Sequence, residues 1–320
     1  MSTLAIQAEG LVRDFGPIRA LDHLSLKVPS GIVFGFLGPN GAGKTTAIRA
    51  FLGLVEPTAG SARVLGFDTR RESHRIRERA GALLEHHGLY ERLTAEQNLD
   101  FTGRVWHLPA SERRARIREL LEQFGLWDRR LEPAGKWSRG MKQKLAVARA
   151  VFHRPPLVFL DEPTAGLDPV ASAALREDLA SLAAGQGVTI FLTTHNLVEA
   201  ERLCDLVGVI RKGKLAALGP PSSLRTTDDS SVRIVGTGID QDTADVATTV
   251  PGVLEARLLD GGLDVKLAEG ARPAALVAML VERGVGIDEV RRDRQTLEET
   301  FLELVTDDAA TAAPARDRAS

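Results

Sequence analysis

Residues 38–46 read GPNGAGKTT, and they follow directly on the apolar run IVFGFL at residues 32–37. The segment contains the pattern G-x-x-x-x-G-K-[ST], in which a strand leads into a glycine-rich loop that opens a helix. In such a loop, backbone N–H groups and the lysine contact phosphate, the hydroxyl reaches Mg²⁺, and the helix N-terminus favours negative charge. A glycine-rich turn that binds nothing is the alternative. The residues predicted to contact nucleotide phosphate are Gly38, Pro39, Asn40, Gly41, Ala42, Gly43, Lys44, Thr45 and Thr46.

Two further apolar runs end in polar residues that suit the same site. The run LVFL at residues 157–160 is followed by Asp161 and Glu162, as expected of a buried parallel strand that delivers carboxylates to its C-terminal edge. There Asp161 would reach Mg²⁺ and Glu162 an attacking water. The run VTIFL at residues 188–192 leads through two threonines to His195, which by itself could equally be an ordinary strand-end histidine.

A second anion-binding position is predicted between these two runs. Ser138 and Gly140 precede a helix-compatible run at residues 144–150, so they lie at a helix N-terminus. Just past the paired carboxylates, the segment AGLD ends at Asp168. The chain therefore contains the separate parts of a complete nucleotide site.

The order of these motifs resembles that of the ATP-binding cassette (ABC) ATPases over about residues 4–220. The resemblance implies an α/β fold, a P-loop NTPase core of the ABC type that binds ATP and Mg²⁺. It implies that Lys44 and Thr45 bind phosphate and Mg²⁺, and that Asp161 orients the metal shell. It also implies that Glu162 is the general base and that His195 senses the γ-phosphate.

The same resemblance implies that a working unit contains a second copy of the chain. In the family, residues matching Ser138 and Gly140 contact the γ-phosphate bound by the opposite subunit, so one chain supplies half of each site. Asp168 matches the D-loop that follows the carboxylates. Phe15 matches the aromatic residue that stacks on adenine, usually Tyr, although it could also be a core residue of an N-terminal hairpin.

Two positions depart from the family pattern. The signature loop usually reads LSGGQ, and here WSRGM places Arg139 where the family has no side chain. The Q-loop glutamine, which touches Mg²⁺ and links the site to the membrane partner, is replaced by Glu85, as in some bacterial peptide-antibiotic and drug exporters. Glu85 retains a metal-capable oxygen and adds a charge. The adjacent His86 and His87 have no third ligand at suitable spacing and are interpreted as solvated loop residues.

The composition is that of a globular protein. The 320 residues are 43% hydrophobic and 26% charged, and the net charge of −2 gives no reason to expect nucleic acid as a partner. The single cysteine, Cys204, is interpreted as a buried structural thiol. No apolar run approaches the roughly 20 residues that cross a bilayer, and the N-terminus lacks a signal pattern. With the resemblance, this predicts a peripheral protein at the cytoplasmic face of the cell membrane, bound to a separate integral membrane permease.

Two domains are predicted along the chain. Residues 1–221 would form the ABC ATPase domain, with a helical subdomain at about 86–150 whose segment 111–124 has apolar residues at helical spacing. By the resemblance, a coupling helix of the permease docks on this subdomain. The contact candidates, each of which could instead pack internally, are Tyr90, Leu93, Phe101 and Trp106. A polar linker is predicted at residues 222–231.

Residues 232–305 are predicted to form a small accessory α+β domain, followed by a disordered tail at 306–320. The predicted elements are strands at 232–235, 254–259 and 263–267, a helix at 273–283 that begins with proline in its first turn, and a last helix opened by the capping box TLEE at 296–299. This layout and the closing segment LEETFLEL resemble the C-terminal extension of ABC ATPases of the daunorubicin-resistance type.

Three functional classes are compatible with these features. The favoured one is an ATP-binding and hydrolysing exporter subunit, which dimerises on ATP to drive efflux of a drug, antibiotic or similar compound through the permease. A soluble ABC ATPase acting on ribosomes or DNA is the second, although the paired cassettes or long coiled coil of those types are missing. A nucleotide-dependent regulator without turnover is the third, and the intact pair Asp161 and Glu162 argues against it.

Overall fold

The computed structural model describes residues 4–224, 231–259, 262–268 and 270–292. The chain divides into two compact units, Met1–Ser222 and Ser223–Ser320. The predicted tail at 306–320 and the helix predicted to open at 296–299 lie outside the described residues.

The first unit alternates strands and helices. Its strands are β1 (Leu4–Phe15), β2 (Ile18–Pro29), β3 (Val33–Leu37), β4 (Ala59–Val64), β5 (Phe67–Asp68), β6 (Ala80–Leu83), β7 (Leu157–Asp161), β8 (Thr189–Thr194), β9 (Leu206–Arg211) and β10 (Lys214–Gly219). Its helices are α1 (Lys44–Phe51), α2 (Ser73–Arg77), α3 (Ala95–Val105), α4 (Ala110–Gln123), α5 (Arg139–Ala150), α6 (Pro169–Gln186) and α7 (Leu197–Leu203), with short 3₁₀ turns at Trp127–Arg129 and Ala134–Lys136.

A six-stranded sheet in the order β10-β9-β3-β8-β7-β6 forms the framework of this unit. β3 pairs in parallel with β8 and β9, and β7 pairs in parallel with β6 and β8, while β10 is antiparallel to β9. β3, β7 and β8 are buried along their whole length, which explains the uninterrupted apolar runs that predicted them. Because parallel strands end at the same edge of a sheet, the segments that follow these three strands meet there.

One apolar core joins this sheet to α1 and to an antiparallel four-stranded sheet in the order β2-β1-β4-β5. The ring of Phe191 lies in the middle of an aromatic cluster. Its centroid is 5.2 to 5.7 Å from the centroids of Phe34, Phe36, Phe51 and Phe159. Buried aromatic rings contribute large apolar areas, so this cluster fixes the positions of β3, β7, β8 and α1 relative to one another.

Cys204 follows α7 and lies against β3. A β-carbon at Gly35 would be 2.7 Å from the Cys204 sulfur, so the thiol fills the space beside a glycine. Burial raises the pKa of the thiol, which therefore stays protonated. The prediction of a buried structural cysteine is confirmed.

Helices α3, α4 and α5 lie between β6 and β7 along the chain and contact one another. The predicted helix at 111–124 corresponds to α4. The buried guanidinium of Arg116 on α4 donates to the carbonyl oxygens of Val151 at 2.8 Å and Phe152 at 3.1 Å, which satisfies acceptors at the C-terminal end of α5. Within the described part of the chain, no helix combines the length and apolar character needed to span a membrane.

The second unit is an antiparallel sheet of four strands in the order β12-β13-β11-β14. Its elements are β11 (Ser231–Thr237), α8 (Gln241–Ala247), β12 (Val253–Leu259), β13 (Gly262–Leu267), α9 (Ala274–Glu282) and β14 (Gly286–Arg292). Alternate residues of β11 and β13 pack against Leu276 and Leu280 of α9 to form its core.

The predicted strands of this unit correspond to β11, β12 and β13, and the predicted helix corresponds to α9. Pro273 is the residue before the helix and does not lie in its first turn, so that detail is wrong. β11 begins at Ser231, the last residue of the predicted linker. α8 and β14 are not predicted from the sequence. α8 spans seven residues, and β14 reads GIDEVRR, in which charged residues obscure the strand pattern.

Candidate functional site

The phosphate loop is the turn between β3 and α1, and it requires glycine at two positions. A β-carbon at Gly38 would lie 2.5 Å from the carbonyl oxygen of Ile210, and one at Gly43 would lie 2.5 Å from that of Ala20. Gly43 also has a φ of +110°, which other residues rarely adopt. The loop borders a cavity of about 170 Å³ lined by Ala20, Pro39, Asn40, Gly41, Gly43, Lys44, Thr45, Thr46 and Glu162. Gly38 and Ala42, also predicted as contacts, do not line it.

Lys44 is buried at the first position of α1, and its ammonium group joins the loop to the end of β7. Nζ donates to the carbonyl oxygens of Gly38 at 2.6 Å and Pro39 at 3.2 Å. It also lies 3.1 Å from Glu162 Oε1. A fixed positive charge and a helix N-terminus at one cavity are the arrangement that binds phosphate.

Asp161 is the last residue of β7, and hydroxyl groups fix both of its carboxylate oxygens. Thr45 Oγ1 donates to Oδ2 at 2.7 Å, and Thr193 Oγ1 donates to Oδ1 at 2.5 Å. Asp161 is only 7% exposed, so this orientation is sheltered from water. A hydroxyl and a carboxylate this close together are the hard oxygen donors that Mg²⁺ takes beside phosphate. Thr45 and Asp161 therefore fit a Mg²⁺ ion.

Glu162 presents its carboxylate beside the phosphate cavity. Its backbone has a φ of +49°, a left-handed conformation that is uncommon for residues other than glycine. The backbone N–H of Glu162 donates to Thr193, at 3.1 Å to the carbonyl oxygen and 3.0 Å to the hydroxyl. His195 Nδ1 lies 2.7 Å from Oε2, while Lys44 contacts Oε1. Each carboxylate oxygen is thus held by a nitrogen on a different element.

Sequence reasoning missed the residues that hold this arrangement in place, namely Thr193, Thr194 and Glu199. Thr194 Oγ1 donates to Glu199 Oε2 at 2.6 Å, and the Asn196 backbone N–H donates to Thr194 Oγ1 at 2.9 Å. Glu199 is fully buried on α7. Burial raises the pKa of its carboxyl, and the Thr194 and Thr164 hydroxyls offset part of that shift. The sequence does contain one sign of this role, because two threonines, Thr193 and Thr194, end the otherwise apolar strand β8.

A second cavity, of about 250 Å³, shares Thr45 and Glu162 with the phosphate cavity. Its other lining residues are Leu84, Glu85, His87, Arg139, Gln143, Asp161 and Ala165. The predicted metal ligand Glu85 thus borders the same cavity as Thr45 and Asp161, and its Oε2 lies 3.3 Å from Arg49 Nη2. His86 is exposed as predicted, but His87 is half-buried, and burial lowers the pKa of its imidazole.

Ser138, Gly140 and Asp168 are predicted nucleotide contacts that do not line the phosphate cavity of their own chain. Ser138 is the N-cap of α5, where its hydroxyl accepts from the Met141 backbone N–H at 3.3 Å. Asp168 is the N-cap of α6, where its carboxylate accepts from the Ala171 backbone N–H at 2.9 Å. Both side chains are therefore fixed at helix N-termini, as Ser and Asp commonly are.

Known proteins share this sequence and this fold. The ABC transporter family profile matches residues 21–165. A daunorubicin resistance ATP-binding protein of Streptomyces coeruleorubidus is 38% identical over 313 residues, which are 96% of this chain and 98% of that protein. The bacitracin transport ATP-binding protein of Bacillus licheniformis is 34% identical over 95% of this chain and 98% of that protein. The chain belongs to the ABC transporter family.

A solved structure agrees with this assignment. The cbiO1 protein of Clostridium perfringens, part of an ABC transporter complex, superposes with a TM-score of 0.65 and 27% identity over 69% of this chain and 90% of that one. The predicted P-loop core of the ABC type is confirmed, and the chain is an ABC ATPase that binds and hydrolyses ATP.

Two further predictions concern Phe15, the candidate for adenine stacking, and the candidate permease contacts on the helical subdomain. Phe15 is the last residue of β1 and is 44% exposed, with the Arg13 guanidinium 4.4 Å from its ring centroid. The alternative that Phe15 is a core residue is therefore wrong, and adenine stacking stays a prediction. Tyr90, Phe101 and Trp106 line a groove of about 280 Å³, whereas Leu93 does not.

The Glu199→Gln variant is expected to gain thermal stability over the wild type as pH rises. Because burial raises the folded-state pKa of Glu199, its contribution to stability is fully present below the ordinary carboxyl value of 4.5 and is lost as pH rises through the folded pKa. Glutamine keeps the shape of the side chain but does not titrate, so the variant does not lose this stability as pH rises. Melting temperatures of both proteins between about pH 5 and pH 8 measure the difference.

The matched control is Glu177→Gln, the same replacement at an exposed position of α6. Its melting temperature should track that of the wild type across the pH range. If the advantage of Glu199→Gln over the wild type fails to grow with pH, the buried carboxyl is not the cause.

Proposed function

We propose that this ABC ATPase powers an exporter, driving efflux of a drug, an antibiotic or a similar compound through a separate integral membrane permease. Two copies of the chain would work together at the cytoplasmic face of the cell membrane. The observation that carries its ATP-hydrolysing part is the Glu162 carboxylate held between Lys44 and His195 at the phosphate cavity. Similarity over nearly the whole chain to daunorubicin resistance and bacitracin transport proteins supports the export role.

The contacts of Glu162 explain how ATP would prepare its own hydrolysis. Lys44 Nζ contacts Glu162 Oε1, and a γ-phosphate in the cavity would compete for the same ammonium group. ATP binding would thereby free Oε1 to accept a proton from the attacking water, while His195 keeps the other oxygen in place. Thr45 and Asp161, with Glu85 as the predicted further ligand, would hold Mg²⁺, which neutralises charge on the phosphate oxygens when bound.

The separation of the signature residues from the phosphate cavity supports a working pair of subunits. Ser138, Gly140 and Asp168 do not line the phosphate cavity of their own chain, and they lie at the N-termini of α5 and α6, as residues that serve a second copy would. Val170, two residues after Asp168, is 79% exposed, and Val198, three residues after His195, is also exposed. Apolar residues beside functional loops suit a surface that a second copy covers.

The groove on the helical subdomain supports the permease proposal. The rings of Tyr90 and Phe101 meet edge to face with centroids 5.0 Å apart, and both residues are exposed. Trp106 lies deeper and stacks on His153 at 3.8 Å. Burial lowers the pKa of His153 to about 4, so this imidazole is uncharged at neutral pH. Arg149 also lines the groove, so it combines aromatic rings with one cationic side chain. The rings suit the apolar face of a helix, which is how a coupling helix of the permease would dock.

The first prediction from this proposal concerns the base. Glu162→Gln keeps the shape of the side chain but removes the proton acceptor, so turnover should fall by roughly 10² or more while ATP affinity is retained. Steady-state ATPase rates and equilibrium binding of ATP by the purified variant provide the measurement. Glu177→Gln on the surface of α6 should leave both quantities unchanged, and near-normal hydrolysis by Glu162→Gln would show that another group is the base.

The second prediction concerns assembly. Lys44→Ala damages the phosphate cavity, and Ser138→Arg damages the signature loop. Each variant alone should be inactive, because every site in a homodimer carries the lesion. A mixture should recover some ATPase activity, because heterodimers contain one site with both lesions and one with neither. No recovery in the mixture, together with full turnover by monomers at high dilution, would contradict a shared site.

The third prediction concerns coupling to the permease. Glu85→Ala removes the predicted oxygen ligand that borders the same cavity as Thr45 and Asp161, and it breaks the ion pair with Arg49. Stimulation of ATPase activity by the reconstituted membrane subunit should fall more than ATP affinity does, whereas Glu85→Gln, which keeps an oxygen, should be mild. Intact stimulation and transport in Glu85→Ala would exclude this role. Absence of any membrane partner would favour the soluble ATPase or regulator instead.

A further inference from the structure

β12 lies at one edge of the sheet in the second unit. It pairs with β13 on one side, and no described strand pairs with it on the other. The backbone N–H and C=O groups on the free side of an edge strand can take up another strand. Three leucines of β12 are also exposed, Leu254 at 64%, Leu258 at 41% and Leu259 at 44%. Exposed leucines on an open edge indicate a surface that a further strand covers.

The charged side chains beside this edge alternate in sign from strand to strand. Arg233 of β11, Asp264 of β13 and Arg257 of β12 lie in one row, on the face of the sheet opposite the core. In the next row, Lys266 lies opposite Glu255. Opposite charges on neighbouring strands stabilise a sheet, and like charges directly opposite destabilise it. The edge therefore favours a strand that brings an acidic residue to Arg257 and a basic residue to Glu255.

The sequence of β12, VLEARLL, is itself such a strand. When two copies pair antiparallel with Ala256 opposite Ala256, Glu255 of each copy lies opposite Arg257 of the other. The same register places Leu258 beside Leu254 of the second copy, so exposed leucines leave water on both sides. A pair centred on Glu255 or on Arg257 would place like charges opposite each other. The charges thus select the register centred on Ala256.

We propose that the second unit is a dimerisation module, in which β12 pairs antiparallel with β12 of a second copy in the register centred on Ala256. A two-fold axis at Ala256 relates the copies, so the contact closes at two chains and joins their two sheets into one. The pairing needs no nucleotide, because no residue of the nucleotide site takes part. It would keep two chains together between cycles of hydrolysis and raise the local concentration of each ATPase unit for the other.

Sedimentation of the full-length protein without nucleotide measures this pairing, and we expect a monomer–dimer equilibrium. Glu255→Arg and Arg257→Glu each place like charges opposite one another, and the two-fold axis repeats the change. Each variant should therefore raise the dissociation constant about tenfold or more. An equimolar mixture of the two variants should dimerise as the wild type does, because every facing pair in the heterodimer is again of opposite sign. Recovery in the mixture also shows that both variants are folded.

Glu282→Arg is the matched control, because it makes the same charge reversal at an exposed position of α9. This variant should dimerise as the wild type does. Equal weakening by Glu282→Arg and Glu255→Arg would reveal a diffuse charge effect and overturn the proposal.

A cysteine at the axis tests the register. Ala256→Cys places two thiols opposite each other at a Cα separation of about 4.5–5.5 Å, which a disulfide can bridge. Mild oxidation should therefore link two copies covalently. Glu282→Cys, at the exposed position on α9, should give far less of this product. The natural thiol of Cys204 is buried, and the wild type measures its background.

A protein that stays monomeric without nucleotide up to its limit of solubility would overturn the proposal. So would a mixture of Glu255→Arg and Arg257→Glu that fails to recover dimers. Charge reversals that leave a monomeric protein but weaken its binding to a membrane subunit would assign the edge to a permease strand instead.

The inference does not rest on the proposed export role or on the shared ATP site. Dimers that form only with ATP would overturn the β12 contact and leave the shared site standing. Conversely, β12 pairing that persists in Lys44→Ala would stand even if the ATP sites were not shared between chains.

Discussion

The register of β7 and β8, in which Asp161 lies opposite Thr193, is the constraint on which the rest of the site depends. The Thr193 hydroxyl donates to Asp161 and accepts from the Glu162 backbone N–H, so one side chain positions both carboxylates. A slip of one residue would turn Thr193 to the other face of the sheet and break both contacts. Phe191, two residues earlier on the same strand, anchors this register because four other phenylalanine rings surround it.

The hydrogen bonds at the strand ends form two adjacent polar networks beside the nucleotide site. Thr45, Asp161 and Thr193 are joined in one chain of bonds, and Thr194 with Glu199 form the next. A single such bond contributes only about 1 kcal/mol net, but a buried group that loses its partner costs about 1–3 kcal/mol. Replacing one of these hydroxyl or carboxyl groups by an apolar group of similar size would therefore disturb the geometry of the site, although the hydrophobic core would remain packed.

The parts of the site that could be predicted from the sequence are those whose chemistry is local. Glycine, lysine and threonine in the phosphate loop are neighbours in the chain, and β7 ends directly in its two carboxylates, so spacing alone indicates their roles. The support from Thr193 and Glu199 could not be found in this way. Thr193 meets Asp161 across 32 positions of sequence, and a threonine in a strand is an ordinary residue until its partner is known.

Long-range packing also decided the positions that the sequence left open. Phe15 could have been buried or exposed, and the β1–β2 hairpin leaves its ring at the surface. Glu85 is recognisable as a departure from the family pattern, but its ion pair with Arg49 depends on how α1 lies beside the end of β6. In the second unit, α8 and β14 have weak local patterns and are specified by the core that they cover.

The backbone of Glu162 has a consequence for how such a protein responds to selection. Its φ of +49° costs about 1–3 kcal/mol for a residue with a β-carbon, and glycine would adopt it without that strain. The position where the carboxylate is needed is thus one where the fold alone would favour its removal. A laboratory evolution experiment that rewards only resistance to heat would drift toward glycine there, and would deliver a sturdier protein that no longer turns over.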